Sequence, residues 1–367
     1  MADRIEHILQ AAIDDGVTPG LAFGISRHDE TPRFWFAGQH SHLKDAEPVE
    51  ATTIFDLASL TKPLSTTLWV LRLIDEGRLD LNHRIGELVE TSSAQLSALP
   101  LWQLMNHTSG LAAHRCYYER VGTEVLRTQN FELGQQFIRE QVRTAELAYE
   151  PGEKEQYSDL GYLLLQYICE SVGGTLGDVW AELPGHGPEL LHFNDLNQRV
   201  GPLNAYAATE HCPWRHRLLQ GEVHDDNCWS LGGIAGHAGL FGTVESVHHA
   251  GLAWLNGANG DGRSLSLAPD IVTESLSRHR MHPTGSRVLG WDTPSSGAST
   301  SGSYYGPRSF GHLGFTGTSI WIDPDEGIVM TLLTNRVCPS RDNWGIRKLR
   351  PLLHDAAWNE VMRKSVK

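Results

Sequence analysis

The segment Ser59-Leu60-Thr61-Lys62 opens a run of residues with helical periodicity. Apolar side chains recur in this run at the spacing of one helix face, at Leu60, Leu64, Leu68, Leu71 and Ile74. Pro63 is tolerated only in the first turn of a helix, so Ser59 must lie at or just before the helix start. The other faces of the run are also apolar, and Gly77 is typical of a helix end. We therefore predict a buried helix that begins at Ser59.

The spacing of Ser59 and Lys62 suits nucleophilic catalysis. Residues three apart on a helix have Cβ atoms roughly 5–6 Å apart, so Lys62 can reach the Ser59 hydroxyl. The unpaired N–H groups of a helix start also point at an anion that forms there. A lysine that accepts a proton needs a pKa well below its ordinary value of about 10.4. We expect burial or a second cation nearby to lower the pKa of Lys62.

The S-x-x-K pattern is short enough to occur by chance, and a second copy lies at Ser41-His42-Leu43-Lys44. This copy follows a strand-like run from Arg33 to Gly38, and residues three apart on a strand point to opposite faces. No helical apolar pattern follows it. We therefore place the nucleophile at Ser59.

The composition is that of a globular protein, with 367 residues, 40% of them hydrophobic, and a net charge of −14. The negative charge disfavours nucleic acid and anionic membranes as partners. No apolar stretch reaches the length of a membrane span. The residues from Met1 to Glu6 lack the features of a signal peptide, so we expect a cytoplasmic protein, or a periplasmic or secreted one if a leader has been removed. The five cysteines form no C-x-x-C pair, which fits a reducing compartment.

The 19 histidines raise the question of a metal site. Their densest group, from His211 to His216, is interrupted by Pro213, and no H-E-x-x-H motif occurs. The G-x-S-x-G motif is absent as well, which disfavours an α/β-hydrolase. We predict neither a metal nor a cofactor.

Strand patterns lie near both ends of the chain, and helical patterns fill the middle. The predicted strands are Leu21 to Ser26, Arg33 to Gly38, Ser309 to Phe315, Ser319 to Asp323 and Ile328 to Thr334. Helices are predicted from Ile5 to Ile13 and from Pro351 to Lys364, with Pro351 in a first turn. This order predicts an α+β fold in which one antiparallel sheet is closed by the two ends of the chain and flanked by helices. We assign residues 1–76 and 231–367 to the sheet domain and residues 77–230 to a mostly helical domain, with the site in the crevice between them.

Three further segments complete a set of motifs. Tyr157-Ser158-Asp159 ends a loop before an apolar helix, and the segment from Leu104 to Leu111 contains His-Thr-Ser-Gly in a turn. His312-Leu313-Gly314 lies on a predicted strand. Together with S-x-x-K, these motifs in this order resemble the Y-x-N and the K-T-G or H-T-G motifs of the serine β-lactamase and penicillin-binding-protein superfamily, in its class C-like and esterase-like branch. The resemblance covers nearly the whole chain and implies a β-lactamase/transpeptidase-like fold.

The resemblance also implies roles for individual residues. Ser59 would attack an acyl carbon, while Lys62 and Tyr157 share the duty of base and then of acid to the leaving group. When an ammonium group lies beside a phenol, their ionisations are coupled and the two groups titrate as one unit. The backbone N–H groups of Ser59 and Phe315 would form the oxyanion hole, and His312 would flank the pocket as a further catalytic residue.

Departures from the family pattern bear on the substrate. Asp159 stands where asparagine would offer an amide donor, His312 replaces a permanent cation, and Leu313 replaces a hydroxyl residue. These changes weaken recognition of a penicillin carboxylate and favour an esterase, a D-amino-acid peptidase or an amidase on cell-wall fragments. The stretch from Val223 to Phe241 is similar to penicillin-binding-protein-4B-like and muramyl-peptide amidase members, although its glycines equally suit close helix packing. The substrate-binding candidates that follow from the resemblance are Asp159, Gly314, His114, His224, Asp225 and His237.

Two functional hypotheses remain open on the sequence. The first is a hydrolase that forms an acyl-Ser59 intermediate on a small ester, amide or D-amino-acid or cell-wall peptide. The second is a slow or inactive penicillin-binding or sensing protein of the same fold, and a true class C-like β-lactamase is a further alternative. We expect a small-molecule or peptide substrate, and a monomer or a weak homo-oligomer.

Overall fold

The computed structural model describes residues 4–28, 30–176, 191–196, 199–295, 297 and 299–364. Numbered in chain order, the helices are α1 Arg4–Asp14, α2 Leu68–Asp75, α3 Ile85–Leu88, α4 Ala94–Ala98, α5 Trp102–Met105, α6 Tyr118–Thr128, α7 Phe131–Arg143, α8 Asp159–Val172, α9 Asp226–Ser230, α10 Val244–Ala258, α11 Pro269–Ser275 and α12 Ile346–Lys364. The strands are β1 Gly20–Arg27, β2 Arg33–Gly38, β3 Phe55–Asp56, β4 Leu191–Phe193, β5 His211–Cys212, β6 Arg217–Leu218, β7 Leu240–Gly242, β8 Phe310–Leu313, β9 Ser319–Asp323 and β10 Ile328–Thr334.

The main sheet has five antiparallel strands in the order β2-β1-β10-β9-β8. Both ends of the chain therefore meet in one sheet, as predicted, because β1 from the start pairs with β10 from the end. Strand β8 ends at Leu313 rather than at the predicted Phe315. The chain turns there, since the Gly314 N–H donates to the Thr318 carbonyl at 2.8 Å and closes a tight connection to β9.

Helices cover both faces of this sheet. On one face α1 and α12 pack in a cluster that includes Ile5, Leu9 and Leu353. On the other face Gly251 of α10 lies against the sheet so closely that an added Cβ would stand 2.7 Å from Val329. The prediction that the last helix begins at Pro351 is wrong, because α12 begins at Ile346 and contains the proline. Buried side chains before the proline, such as Ile346 and Leu349, outweigh its preference for a first turn.

The predicted helix after Ser59 is buried, but it is not regular. A 3-10 turn over Ala58–Leu60 is followed by a π-helical segment over Lys62–Thr67 and then by α2. Every residue of the π-helical segment is buried, and its proline lies in the first turn as predicted. Wide turns of this kind are frequent at functional sites.

Helices α3 to α9 lie in the middle of the chain, and the described residues also form short strands that the sequence did not reveal. Strand β7 pairs with β3, which leads into Ser59, and with β4. Strands of two or three residues carry too little periodic signal to be predicted. The division into residues 1–76 with 231–367 and residues 77–230 remains a prediction. Within the described residues, no helix combines the length and apolarity that a membrane span requires.

Candidate active site

Ser59 follows a strained residue that lies two positions after β3. Ala58 has a φ of +47°, in the left-handed region that residues with a Cβ seldom adopt. The Asp56 carboxylate holds this bend, since it accepts the Ala58 N–H at 2.8 Å and the His224 N–H at 2.7 Å. The nucleophile segment is therefore fixed by a buried acceptor, and strain of this kind is concentrated at functional sites.

The turn between β8 and β9 packs against the same segment. The Thr318 hydroxyl donates to the Leu57 carbonyl at 3.1 Å, and the Thr316 hydroxyl donates to the Asp56 carbonyl at 2.8 Å. A Cβ at Gly314 would stand 2.6 Å from the Leu57 carbonyl oxygen. Close packing alone thus requires glycine at position 314, and its part in substrate binding remains a prediction.

Lys62 lies beneath Ser59 with its side chain shielded from solvent. Its ammonium donates three hydrogen bonds, to Ser59 Oγ at 3.1 Å, to Asp159 Oδ1 at 2.7 Å and to the His237 carbonyl at 3.0 Å. The pairing of Ser59 with Lys62 that the spacing predicted is present. All three donor positions of the ammonium are occupied.

The expected lowering of the lysine pKa is wrong. Burial by itself lowers the pKa of Lys62, but the Asp159 carboxylate and the Tyr157 phenol outweigh burial and hold this pKa above its ordinary value. Conversely, although burial raises the pKa of Asp159, the nearby Lys62 charge holds it well below the usual range. The negative charge of Asp159 is what raises the pKa of Lys62, because an asparagine would accept the same hydrogen bond without that charge.

The Tyr157 ring is surrounded by cations and imidazoles. Lys62 Nζ lies 4.7 Å from its centroid, the Arg287 guanidinium carbon 5.3 Å, and the rings of His107 and His312 at 4.6 Å and 5.9 Å. The Tyr157 hydroxyl oxygen is buried and has no hydrogen-bond partner in the described part of the chain. Burial raises the pKa of Tyr157, and the Lys62 charge offsets part of that rise.

Asp159 connects Lys62 to a histidine. Its second oxygen, Oδ2, lies 3.0 Å from Nδ1 of His114, whose side chain is partly exposed. This hydrogen bond raises the pKa of His114 above its ordinary value. Asp159 and His114, which were each predicted as substrate-binding residues, are therefore connected to the lysine by hydrogen bonds.

His312 does not supply the permanent positive charge of the lysine that it replaces in the K-T-G motif. Its ring is buried, its Nδ1–H donates to the Leu313 carbonyl at 2.8 Å, and burial lowers its pKa to about 4. The imidazole is consequently neutral near pH 7 and faces Tyr157 rather than the cavity.

The two amides assigned to the oxyanion hole have no acceptor within the described residues. The Phe315 carbonyl accepts from Arg336 Nε at 2.9 Å, which fixes the peptide after Phe315. The Phe315 ring stacks on His224 with 5.6 Å between centroids. The geometry thus leaves the Ser59 and Phe315 N–H groups available to an anion.

A cavity of about 380 Å³ opens above Ser59. Its lining consists of Ala58, Ser59, His114, Cys116, Tyr118, Tyr157, Asp159, His224, Asp225, Asp226, His237, Ala238, Phe315 and Arg341. Most predicted site residues therefore meet in one place, whereas Lys62 lies beneath the cavity and His312 and Gly314 lie outside its lining. No group of three or more potential metal ligands occurs in the part of the chain that the structure describes.

The far wall of the cavity contains polar side chains that are joined in pairs by hydrogen bonds. His237 Nε2 lies 2.9 Å from Asp225 Oδ1, and His224 Nε2 lies 3.0 Å from Glu210 Oε2. Arg341 contributes a partly exposed guanidinium that is held by Glu210 and by Asp226.

Sequence reasoning missed Arg287 and Arg341 because neither stands in a motif. It also assigned no role to His107, although the segment that contains this histidine had been singled out.

Comparisons with known proteins identify the family of this chain. The β-lactamase family model matches residues 5–349. A protein of Escherichia coli (strain K12) named "Putative D-alanyl-D-alanine carboxypeptidase" is 32% identical over 317 residues, which cover 79% of this chain and 71% of the relative.

Two solved structures share the fold. EstCE1, described as a hydrolase with promiscuous acyltransferase activity, aligns with a TM-score of 0.72 at 21% identity, and the alignment covers 97% of each chain. A penicillin-binding protein homologue from Caulobacter crescentus aligns with a TM-score of 0.70 at 18% identity, over 97% of this chain and 96% of its own. With the family match across nearly the whole sequence, we conclude that the chain belongs to the β-lactamase family of serine hydrolases.

Proposed function

We propose that this hydrolase forms an acyl intermediate on Ser59 and acts on a small ester, an amide or a D-amino-acid peptide. The observation that carries the proposal is the position of Ser59 Oγ, 3.1 Å from Lys62 Nζ and in one cavity with Tyr157. A hydroxyl, an amine and a phenol in one site are groups that suit acyl transfer through a serine.

In the proposed acylation, Lys62 and Tyr157 act as one acid–base unit. The unit must first lose a proton to solvent, after which it accepts the Ser59 proton and delivers it to the leaving group. The N–H groups of Ser59 and Phe315 stabilise the oxyanion. Water then attacks the acyl carbon and gives a proton to the same unit, which passes this proton to Ser59 Oγ as the bond between Oγ and the acyl carbon breaks and the acid product leaves.

The charges of the site bear on the substrate. His312 is neutral near pH 7, and Arg341 is already held by Glu210 and Asp226. A substrate carboxylate would therefore find no uncommitted cation among these groups. We infer that esters and amides without a carboxylate next to the reacting bond are better substrates than penicillins. The name of the Escherichia coli relative makes D-alanyl peptides the second class to test.

The proposal is tested with p-nitrophenyl acetate and by mass spectrometry of the intact protein after incubation with the ester, penicillin and a muropeptide. We expect turnover of the ester and a transient acyl adduct, both lost in Ser59→Ala. Ser41→Ala is the matched control, because it alters the other S-x-x-K motif and should leave turnover unchanged. Equal turnover by Ser59→Ala and the unmodified protein would refute the assignment of the nucleophile.

A slow or inactive penicillin-binding protein is the second candidate. It is favoured by one observation: the pKa values of both Lys62 and Tyr157 are raised, so the deprotonated unit that acylation and deacylation both require is scarce at neutral pH. A stable adduct that persists for hours, without release of product, would support this candidate over the hydrolase.

A further inference from the structure

The turn that contains His107 adjoins the active site without lining its cavity. His107 is 3% exposed, and its φ is +63°. Residues other than glycine seldom adopt this region, although histidine is among those that enter it more readily. A strained, buried histidine next to a reactive centre calls for a reason beyond packing.

His107 holds the chain on both sides of Tyr157. Its carbonyl oxygen accepts the Gln156 N–H at 2.9 Å, and its ring nitrogen Nδ1 accepts the Ser158 N–H at 3.0 Å. Its ring lies against the Tyr157 ring with 4.6 Å between centroids and 35° between planes. His107 thus holds the backbone on both sides of Tyr157 and also contacts one face of the Tyr157 ring.

The protonation state of His107 follows from these contacts. Because Nδ1 accepts an N–H, the proton of the neutral ring must be on Nε2. Burial lowers the pKa of His107 well below its ordinary value, and the nearby charges of Arg287 and Lys62 lower it further, as does His312, while Asp159 acts in the opposite direction. A protonated ring would lose the Ser158 hydrogen bond and add a third positive charge beside the phenol.

Tyr157 depends on this support because its hydroxyl oxygen makes no hydrogen bond of ordinary geometry in the described part of the chain. Lys62 and Ser59 lie near enough to this hydroxyl to offset part of the rise that burial causes in the pKa of Tyr157. The position of the hydroxyl above Lys62 is therefore set by ring contacts and by the backbone from residue 156 to residue 158.

We propose that His107 is a positioning residue, which holds the phenol of Tyr157 where it can exchange a proton with Ser59 and Lys62. This inference rests on the proposed role of Tyr157 in the acid–base unit. It gives a chemical reason for the left-handed backbone at His107, since that conformation lets its carbonyl and its ring reach Gln156 and Ser158 at the same time.

Two substitutions separate positioning from packing. His107→Gly accepts the left-handed backbone without strain but removes the ring and the Nδ1 acceptor. His107→Asn also tolerates this backbone, and its side-chain oxygen takes the place of Nδ1 as an acceptor for Ser158. His192→Ala is the control, because it removes another buried histidine that does not line the cavity.

The assay is ester turnover across pH, together with the thermal midpoint of each variant. We expect His107→Gly to lower kcat about 100-fold with KM nearly unchanged, as a displaced catalytic group does. The rising limb of its pH profile of kcat should also move, because the distance between Tyr157 and Lys62 changes. We expect His107→Asn to recover most of kcat, and His192→Ala to change stability but neither kcat nor the pH profile.

A folded His107→Gly variant with the kcat and pH profile of the unmodified protein would overturn the inference. So would a folded His107→Asn variant that loses as much activity as His107→Gly. An unmodified protein that forms no adduct at Ser59 would instead defeat the proposed function itself. If His107→Gly does not fold, the test rests on His107→Asn. The inference then requires that the kcat and the pH profile of His107→Asn stay close to those of the unmodified protein, and a large loss of kcat in the folded variant overturns it.

Discussion

Asp159→Asn removes the negative charge that keeps Lys62 protonated. The asparagine side chain has the same shape, and its oxygen can still accept the Lys62 hydrogen bond now measured at 2.7 Å. Geometry is thus retained while the charge is lost. The substitution also restores the residue that the family motif carries at this position.

The size of the effect follows from the distance. Two unit charges 2.7 Å apart interact by about 6 kcal/mol at an effective dielectric constant of about 20. That energy corresponds to roughly 4 pKa units. The Asp159 side chain is 18% exposed, so water already screens part of the attraction. We therefore expect the pKa of Lys62 to fall by about 2 units.

The assay is the pH dependence of kcat/KM for ester hydrolysis, which reports the ionisation of the free enzyme. In Asp159→Asn the rising limb should move to lower pH by about 2 units, and the rate at pH 7 should increase up to about 100-fold. Glu155→Gln is a matched control, since it neutralises another buried carboxylate near Tyr157 that pairs with Arg287 rather than with Lys62.

A rising limb that stays in place, or that moves to higher pH, would refute this account of Lys62. Either result would mean that the aspartate charge does not set the protonation of the acid–base unit. Thermal midpoints of both variants should be measured alongside, so that a loss of folding is not mistaken for a loss of activity.

Three further predictions follow from the structure. Tyr157→Phe should lower kcat about 100-fold or more while the protein stays folded, and kcat equal to that of the unmodified protein would exclude the phenol as an acid–base group. Gly314→Ala should destabilise the protein by about 1–3 kcal/mol in urea unfolding, since the new Cβ would stand 2.6 Å from the Leu57 carbonyl. Burial lowers the pKa values of His192, His312 and His354 to about 4. Below pH 6.5 the unfolded chain therefore binds more protons than the folded protein. The free energy of unfolding should consequently fall as pH drops from about 6.5 towards 4, and a flat profile over that range would contradict the burial of these rings.

The elements of the fold follow closely from local patterns. Strands β2, β9 and β10 have the predicted bounds, and the helix after Ser59 is buried as its apolar faces indicated. These elements were predictable because alternation and helical periodicity are properties of neighbouring residues. The last helix was predicted too short, because burial of Ile346 and Leu349 depends on packing against α1 and the sheet rather than on Pro351.

The pairing of Ser59 with Lys62 was predictable for the same local reason, since the two residues lie three positions apart in the sequence. Tyr157 and the amide of Phe315 entered through the resemblance to a family, not through any periodicity. Arg287 and Arg341 stand in no motif, and only folding brings them to the site.

The sequence by itself indicated which side chains are candidates for the reaction, and it determined the order of the strands and helices that carry them. Tertiary structure decided how those side chains are charged. Lys62 and Asp159 are 97 residues apart in the chain, yet their contact, together with the nearby Tyr157, outweighs the effect of burial on the pKa of the lysine. Ionisation depends on distances between groups from remote segments and on the exclusion of water around them, and neither quantity is encoded in local spacing.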